Sequence, residues 1–156
     1  MKLFPILSAG LILVFVSCGK KENKPLLENE KALFESVLAE NDKIVKSLLT
    51  TEEVAPDIKA LSAALTALES AKGGLEEAAI QMKKHLAATE NSDAETAFKA
   101  YSKFSESLAI VMKERGLQSG RNRFYCPMVK KTWVLAGQKI QNPYAPDMRE
   151  CGDLIP

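Results

Sequence analysis

From Leu26 to Gly116 the apolar positions recur every three or four residues, which is the period of an amphipathic helix. The segment "LLENEKALFESVLAENDKIVKSLLT" predicts a first helix. One stripe of it carries Leu27, Phe34, Leu38, Val45 and Leu49; Leu33, Val37, Ile44 and Leu48 lie beside that stripe. Asn41 and Asp42 fall in the middle and are expected on the wet side. Pro56 cannot continue a helix interior, so the pattern stops before it. "DIKALSAALTALESAK" predicts a second helix through Ile58, Leu61, Leu65 and Leu68, closed by Gly73-Gly74. "LEEAAIQMKKHLAAT" predicts a third, with Leu75, Ala79, Met82 and Leu86 inward. Ser92 and Glu95 have capping-box spacing and start the fourth, whose buried face is Phe98, Tyr101, Leu108 and Met112, with Phe104 and Val111 alongside. Gly116 ends it. Amphipathic helices joined by short connections predict an all-α fold, an antiparallel four-helix bundle over residues 26–117.

After Gly120 that period is lost. "RNRFYCPMV" and "KTWVLAGQKIQ" are β-prone but short, and Pro127, Pro143 and Pro146 break them. Residues 118–156 are therefore expected as an irregular Cys/Met/Trp cap, an ordered loop with at most a two-stranded hairpin, packed on one end of the bundle.

The other end of the chain reads as an address. Lys2 precedes an apolar run from Leu3 to Val16, then Ser17 and Cys18. The run is too short for a spanning helix and has the plan of a secretory signal. "FVSC" resembles a bacterial lipobox, in which the cysteine is acylated and becomes the first mature residue. Residues 1–17 are thus expected to be a lipoprotein signal peptide, Cys18 the lipidation site, and residues 18–25 a polar tether. This places the folded part in the cell envelope, lipid-anchored and facing the periplasm or the cell surface. It also resolves an odd count of 3 cysteines, because lipid on Cys18 leaves Cys126 and Cys151 as a pair. The net charge of +1, with short runs of mixed sign, gives no footprint for nucleic acid.

No catalytic set is visible. There is no strained Gly-x-Ser-x-Gly turn, and no glycine-rich loop follows a strand. Carboxylate pairs such as Glu76-Glu77 suit helix starts, where they complement the dipole. The only histidine, His85, shares a face with Met82 but also neighbours Lys83 and Lys84, and reads as a partly exposed surface residue. An enzyme is not expected.

Chemistry concentrates in the cap. Cys126 and Met128 are two apart and share a side in an extended segment; Met148 and Cys151 are three apart and share a face in one helical turn. Two such sulfur hooks could close around one Cu(I) or other soft metal ion, with Trp133 or Tyr125 stacked nearby. Two exported cysteines also form disulfides readily, and a Cys126–Cys151 disulfide would staple the cap, leaving Met128 and Met148 as packing. The residues alone leave both readings open.

"FYCPM", Trp133 and "IQNPYAPDMRECG" together resemble the C-terminal signature of an uncharacterised bacterial family of small helical periplasmic domains. These occur as lipoproteins and fused to heavy-metal, copper-type efflux adaptor proteins. Tyr125, Cys126, Pro127, Met128, Trp133, Ile140, Asn142, Pro143, Tyr144, Met148, Cys151 and Gly152 match it. The spacer from Met128 to Trp133 is shorter than the family's, and Ala145-Pro146 stands where a glycine is usual. The resemblance implies a metal role for Cys126, Met128, Met148 and Cys151, support from Tyr125, Trp133, Asn142 and Tyr144, and a metal-efflux component as partner.

Overall fold

The computed structural model describes residues 24–51 and 54–156. The expected signal peptide, the expected lipidation site Cys18 and most of the expected tether lie outside the described residues. The helices are α1 (Glu28–Thr50), α2 (Lys59–Ser70), α3 (Glu76–Leu86) and α4 (Ala94–Arg115). No helix among the described residues is long and apolar enough to cross a membrane.

The predicted faces are the buried ones, with a small rotation in α1. Phe34, Val37, Leu38, Ile44, Val45 and Leu48 are inside, while Leu27 is exposed. Leu61, Leu65 and Leu68 of α2 meet Leu75, Met82 and Leu86 from α3 and its entry, and Tyr101, Phe104, Leu108 and Met112 of α4. Leu27 has no acceptor in its side chain, so the start of α1 is fixed by Glu30 instead. The buried Glu30 carboxylate accepts from the Leu27 amide at 2.7 Å and, across the fold, from the Gly74 and Leu75 amides at 3.0 and 2.6 Å. One side chain thus holds the first turn of α1 against the α2–α3 turn. The cap of α4 is Asp93 rather than Ser92: its carboxylate accepts from the Thr96 amide at 2.9 Å, which holds its pKa below the ordinary carboxylate value. Gly116 closes α4 in the left-handed conformation, φ +65°.

The fold class differs from the expected all-α bundle. The residues after Gly120 form a three-stranded antiparallel sheet, β1 (Arg121–Cys126), β2 (Lys131–Ala136) and β3 (Asp153–Ile155), in the order β2-β1-β3. The helices pack in chain sequence, α1 on α2, α2 on α3 and α3 on α4, and β2 then lies against both α4 and α1. The sheet therefore completes the core along the α1–α4 side rather than sitting on one end. Lys131 to Leu135 are all buried, because β2 is covered on both faces. That removes the polar–apolar alternation by which a strand is ordinarily recognised.

Burying an edge strand strands its outward backbone groups, and here side chains take up three of them. In the register Phe124↔Trp133, Lys131, Trp133 and Leu135 turn toward β1, while Thr132 and Val134 turn outward. The Thr132 amide donates to Ser102 Oγ at 2.8 Å, the Thr132 carbonyl accepts from the Tyr144 hydroxyl at 2.8 Å, and the Val134 carbonyl accepts from Asn41 Nδ2 at 2.9 Å. Tyr101 supports Asn41 from behind, donating its hydroxyl to Asn41 Oδ1 at 2.8 Å. Asn41 is fully buried, not on the wet side. Its neighbour Asp42 accepts from Arg121 Nε at 2.9 Å, and Glu35 accepts from Arg121 Nη1 at 2.7 Å. Burial alone would lower the Arg121 pKa, but these two carboxylates outweigh it and hold the guanidinium above its ordinary value.

Asn41→Ala leaves the Val134 carbonyl buried without a partner and the Tyr101 hydroxyl with only its long 3.4 Å bond to the residue-41 carbonyl, and is expected to cost roughly 1–3 kcal/mol. The check is a fall in the urea midpoint without a change in slope. A loss below about 0.5 kcal/mol, the level of ordinary surface substitutions, would mean that water replaces the amide.

Candidate functional site

The cap is built around Trp133. Phe124 stacks on it with ring centroids 5.6 Å apart, and Tyr144 meets it edge-on at 6.3 Å. Tyr144 also meets Phe98 of α4 edge-on at 5.5 Å. Burial pushes the Tyr144 and Tyr101 hydroxyls well above the ordinary phenol range, so both stay protonated and able to donate. The Asn142-Pro143-Tyr144 turn places this ring. Asn142 Oδ1 accepts from the Tyr144 amide at 3.0 Å, and the Asn142 carbonyl accepts from Arg149 Nη1 at 2.8 Å. The Asn142 amide in turn donates to the Arg149 carbonyl at 2.7 Å, which folds the segment 142–149 into a closed loop. Asn142 and Tyr144, expected as supporting residues, thus build the cap itself. Tyr125 is half-buried on β1, paired with Thr132 and Asp153.

Cys126 and Cys151 are joined in a disulfide with Cα atoms 5.6 Å apart. Cys126 ends β1 and is fully buried; Cys151 is half-buried and leads into β3. The disulfide therefore sits at the end of the β1–β3 pairing and holds the terminal strand to the hairpin. Gly152 follows it with φ +149°. A Cβ there would lie 2.6 Å from Trp133 Cη2, so the indole floor of the cap requires glycine at this position.

The four sulfurs predicted to converge divide into two classes. The cysteine sulfurs are bonded to each other. Met148 forms one turn with Cys151, whose amide donates to the Met148 carbonyl at 2.9 Å. Met128 lies in the β1–β2 turn, two residues beyond Cys126. Met128 is 72% and Met148 36% exposed, so neither thioether is core packing. His85 is half-buried, and its neighbour Met82 is fully buried, which removes that pair as a soft-ligand site. Among the described residues no group of three or more His, Cys, Asp or Glu is placed to hold a metal ion.

Residues given no part in the cap by the sequence pattern contribute to it as much as those that were. Asn41, Ser102 and Tyr101 come from helices and secure the cap through β2. Lys131, buried in β2, reaches Glu95 near the start of α4 at 3.0 Å, so Glu95 serves an ion pair where a capping box was expected. The one available signal was a cluster of polar residues on otherwise apolar helix faces. No family model, curated protein or solved structure matches the chain.

Cys126 and Cys151 are 25 residues apart, so reduction, or Cys126→Ser with Cys151→Ser, is expected to cost roughly 3 kcal/mol by loop-closure entropy. Thermal unfolding with and without reductant measures it. Unchanged melting would show that the disulfide is not the staple of the cap.

Proposed function

We propose that this chain is a non-enzymatic, lipid-anchored cell-envelope protein that binds or handles a soft metal ion, copper above all, at its C-terminal cap. The metal is cargo, and its ligands are Met128 and Met148 together with Cys126 and Cys151 in their reduced form. The observation that carries the reading is the position of the two thioethers. Each flanks one half of the Cys126–Cys151 disulfide and is exposed, where a large apolar side chain gains little from burial. Thioether and thiolate are soft ligands and select Cu(I) over hard cations. The resemblance of Tyr125–Met128, Trp133 and Ile140–Gly152 to domains fused to metal-efflux adaptors supports the same direction. While the disulfide is closed its sulfurs are not thiolates, so the full ligand set belongs to the reduced cap, and the closed form offers the thioethers alone.

A second reading has its own observation. The disulfide is formed and Cys126 is fully buried, as suits a permanent staple. On that reading the protein is a structural or interaction lipoprotein whose cap needs the cystine only for stability.

Copper uptake separates the two. Reduced protein, kept from air, is expected to take up about one Cu(I) per chain, with a change in Trp133 fluorescence. Met128→Leu with Met148→Leu keeps volume and removes sulfur, and is expected to weaken uptake at unchanged helix content. Equal affinity in that variant would make the methionines bystanders; no uptake by reduced protein would leave the staple reading.

The anchor has a separate test. Cys18→Ala is expected to release the protein from the membrane fraction or to block its processing. A variant that stays membrane-bound and is cleaved normally would remove the lipid from the proposal.

A further inference from the structure

A cleft of about 350 Å³ lies between the second half of α4 and the β1–β3 edge, away from the sulfur cluster. Ile110 and Met112 of α4 and Leu154 and Ile155 of β3 give it apolar walls, and Lys113 and Arg123 give it charge. Ile110 is 51% exposed, high for a branched aliphatic side chain, and Ile155, paired with Arg123 and so on the same face of the sheet, lines the cleft half-buried. No acidic side chain lines it.

The cations in this cleft are not equivalent. Arg121 is already taken by Asp42 and Glu35. Lys113 reaches only the Pro156 oxygen, at 3.4 Å. Arg123 stands on β1 with its backbone paired to Ile155, and its buried Nε has no hydrogen-bond partner among the described residues. That Nε is enclosed, but the two Nη groups are not, and a guanidinium is the side chain best shaped to hold a carboxylate through two parallel bonds.

We propose that this cleft binds a small amphiphilic monocarboxylate, its carboxylate on Arg123 and its apolar chain between Ile110 and Ile155. The charge and the walls both call for this class: one anionic head and one short hydrocarbon body. The volume lies at the lower end of the range for small-molecule pockets. An added peptide strand fits the edge less well. β3 has three residues, and since Asp153 and Ile155 turn toward β1, only Leu154 turns its backbone groups outward. The site is independent of the metal reading, because it uses neither cysteine nor methionine sulfur as a ligand.

Octanoate, below its micelle concentration, is the probe, titrated into the full chain with amide chemical shifts as the readout. Saturable binding is expected, with shifts confined to 109–113, 123 and 154–155. Octan-1-ol lacks the charge and acetate lacks the chain, so each is expected to bind at least about tenfold more weakly. Arg123→Gln is expected to weaken octanoate binding by about tenfold or more, with partial recovery in Arg123→Lys. Shifts that map elsewhere, octan-1-ol binding as well as octanoate, or no saturation would each overturn the proposal. If Arg123→Gln does not fold, as judged by circular dichroism, the map and the ligand comparison on the parent chain still decide it.

Discussion

The fold depends on what satisfies the outer edge of β2. A strand with five buried residues cannot leave its amides and carbonyls to water, and it has a strand neighbour on one side only. Ser102, Tyr144 and Asn41 supply three of the missing partners, from α4, the 142–149 loop and α1. Each bond is worth about 1 kcal/mol net, but each one lost leaves a buried group unpaired at a cost of roughly 1–3 kcal/mol. The three bonds also reach three separate parts of the chain, so the same groups that make β2 tolerable inside the core fix where the core's parts stand. Tyr101 links the system inward, since its hydroxyl holds the Asn41 amide in the orientation that can donate to Val134.

This arrangement changes what the C-terminal motif means. Trp133, Asn142, Tyr144 and Gly152 are spaced for one structural purpose. The indole is the floor, the Asn-Pro-Tyr turn brings a phenol back to β2, and the glycine lets the terminal segment cross the indole at close range. The two methionines stand exposed at the rim of that assembly, and the disulfide lies further in, with Cys126 fully buried. A chemical role for the cap would therefore act from a rigid platform, because the residues behind the sulfurs are held by packing and hydrogen bonds.

The helices were legible in the sequence because each buries one stripe, and a stripe has a period. Phe34, Leu65, Met82 and Leu108 are where that period puts them. The sheet was not legible for equally physical reasons. β2 is buried on both faces and carries no alternation, and β3 is three residues long. Asn41 was misplaced because periodicity gives a residue's angle on the helix but not its partner. At that angle a polar side chain reads as solvent-facing unless a strand from 93 residues later is known to cover it. The cystine was one of two open readings at Cys126 and Cys151, since spacing alone does not distinguish a thiol pair from a disulfide. What decides it is that β1 and β3 bring the two Cα atoms to 5.6 Å, within bridging range.

β1 is the element that the rim chemistry and the α4 cleft share. Along it, Cys126 ends in the disulfide, Phe124 stacks on Trp133, and Arg123 turns to the cleft. β3 touches both regions as well: it begins two residues after Cys151, and Leu154 and Ile155 form one wall of the cleft. The strand is held by three residue pairings with β1 and by the disulfide at its entry. A strand this short gains little from its own ladder, so the covalent link carries a large share of what keeps that wall in place. Opening the disulfide would thus loosen the β3 wall of the cleft but not Arg123, which stands on β1 and is held there by the pairing with β2.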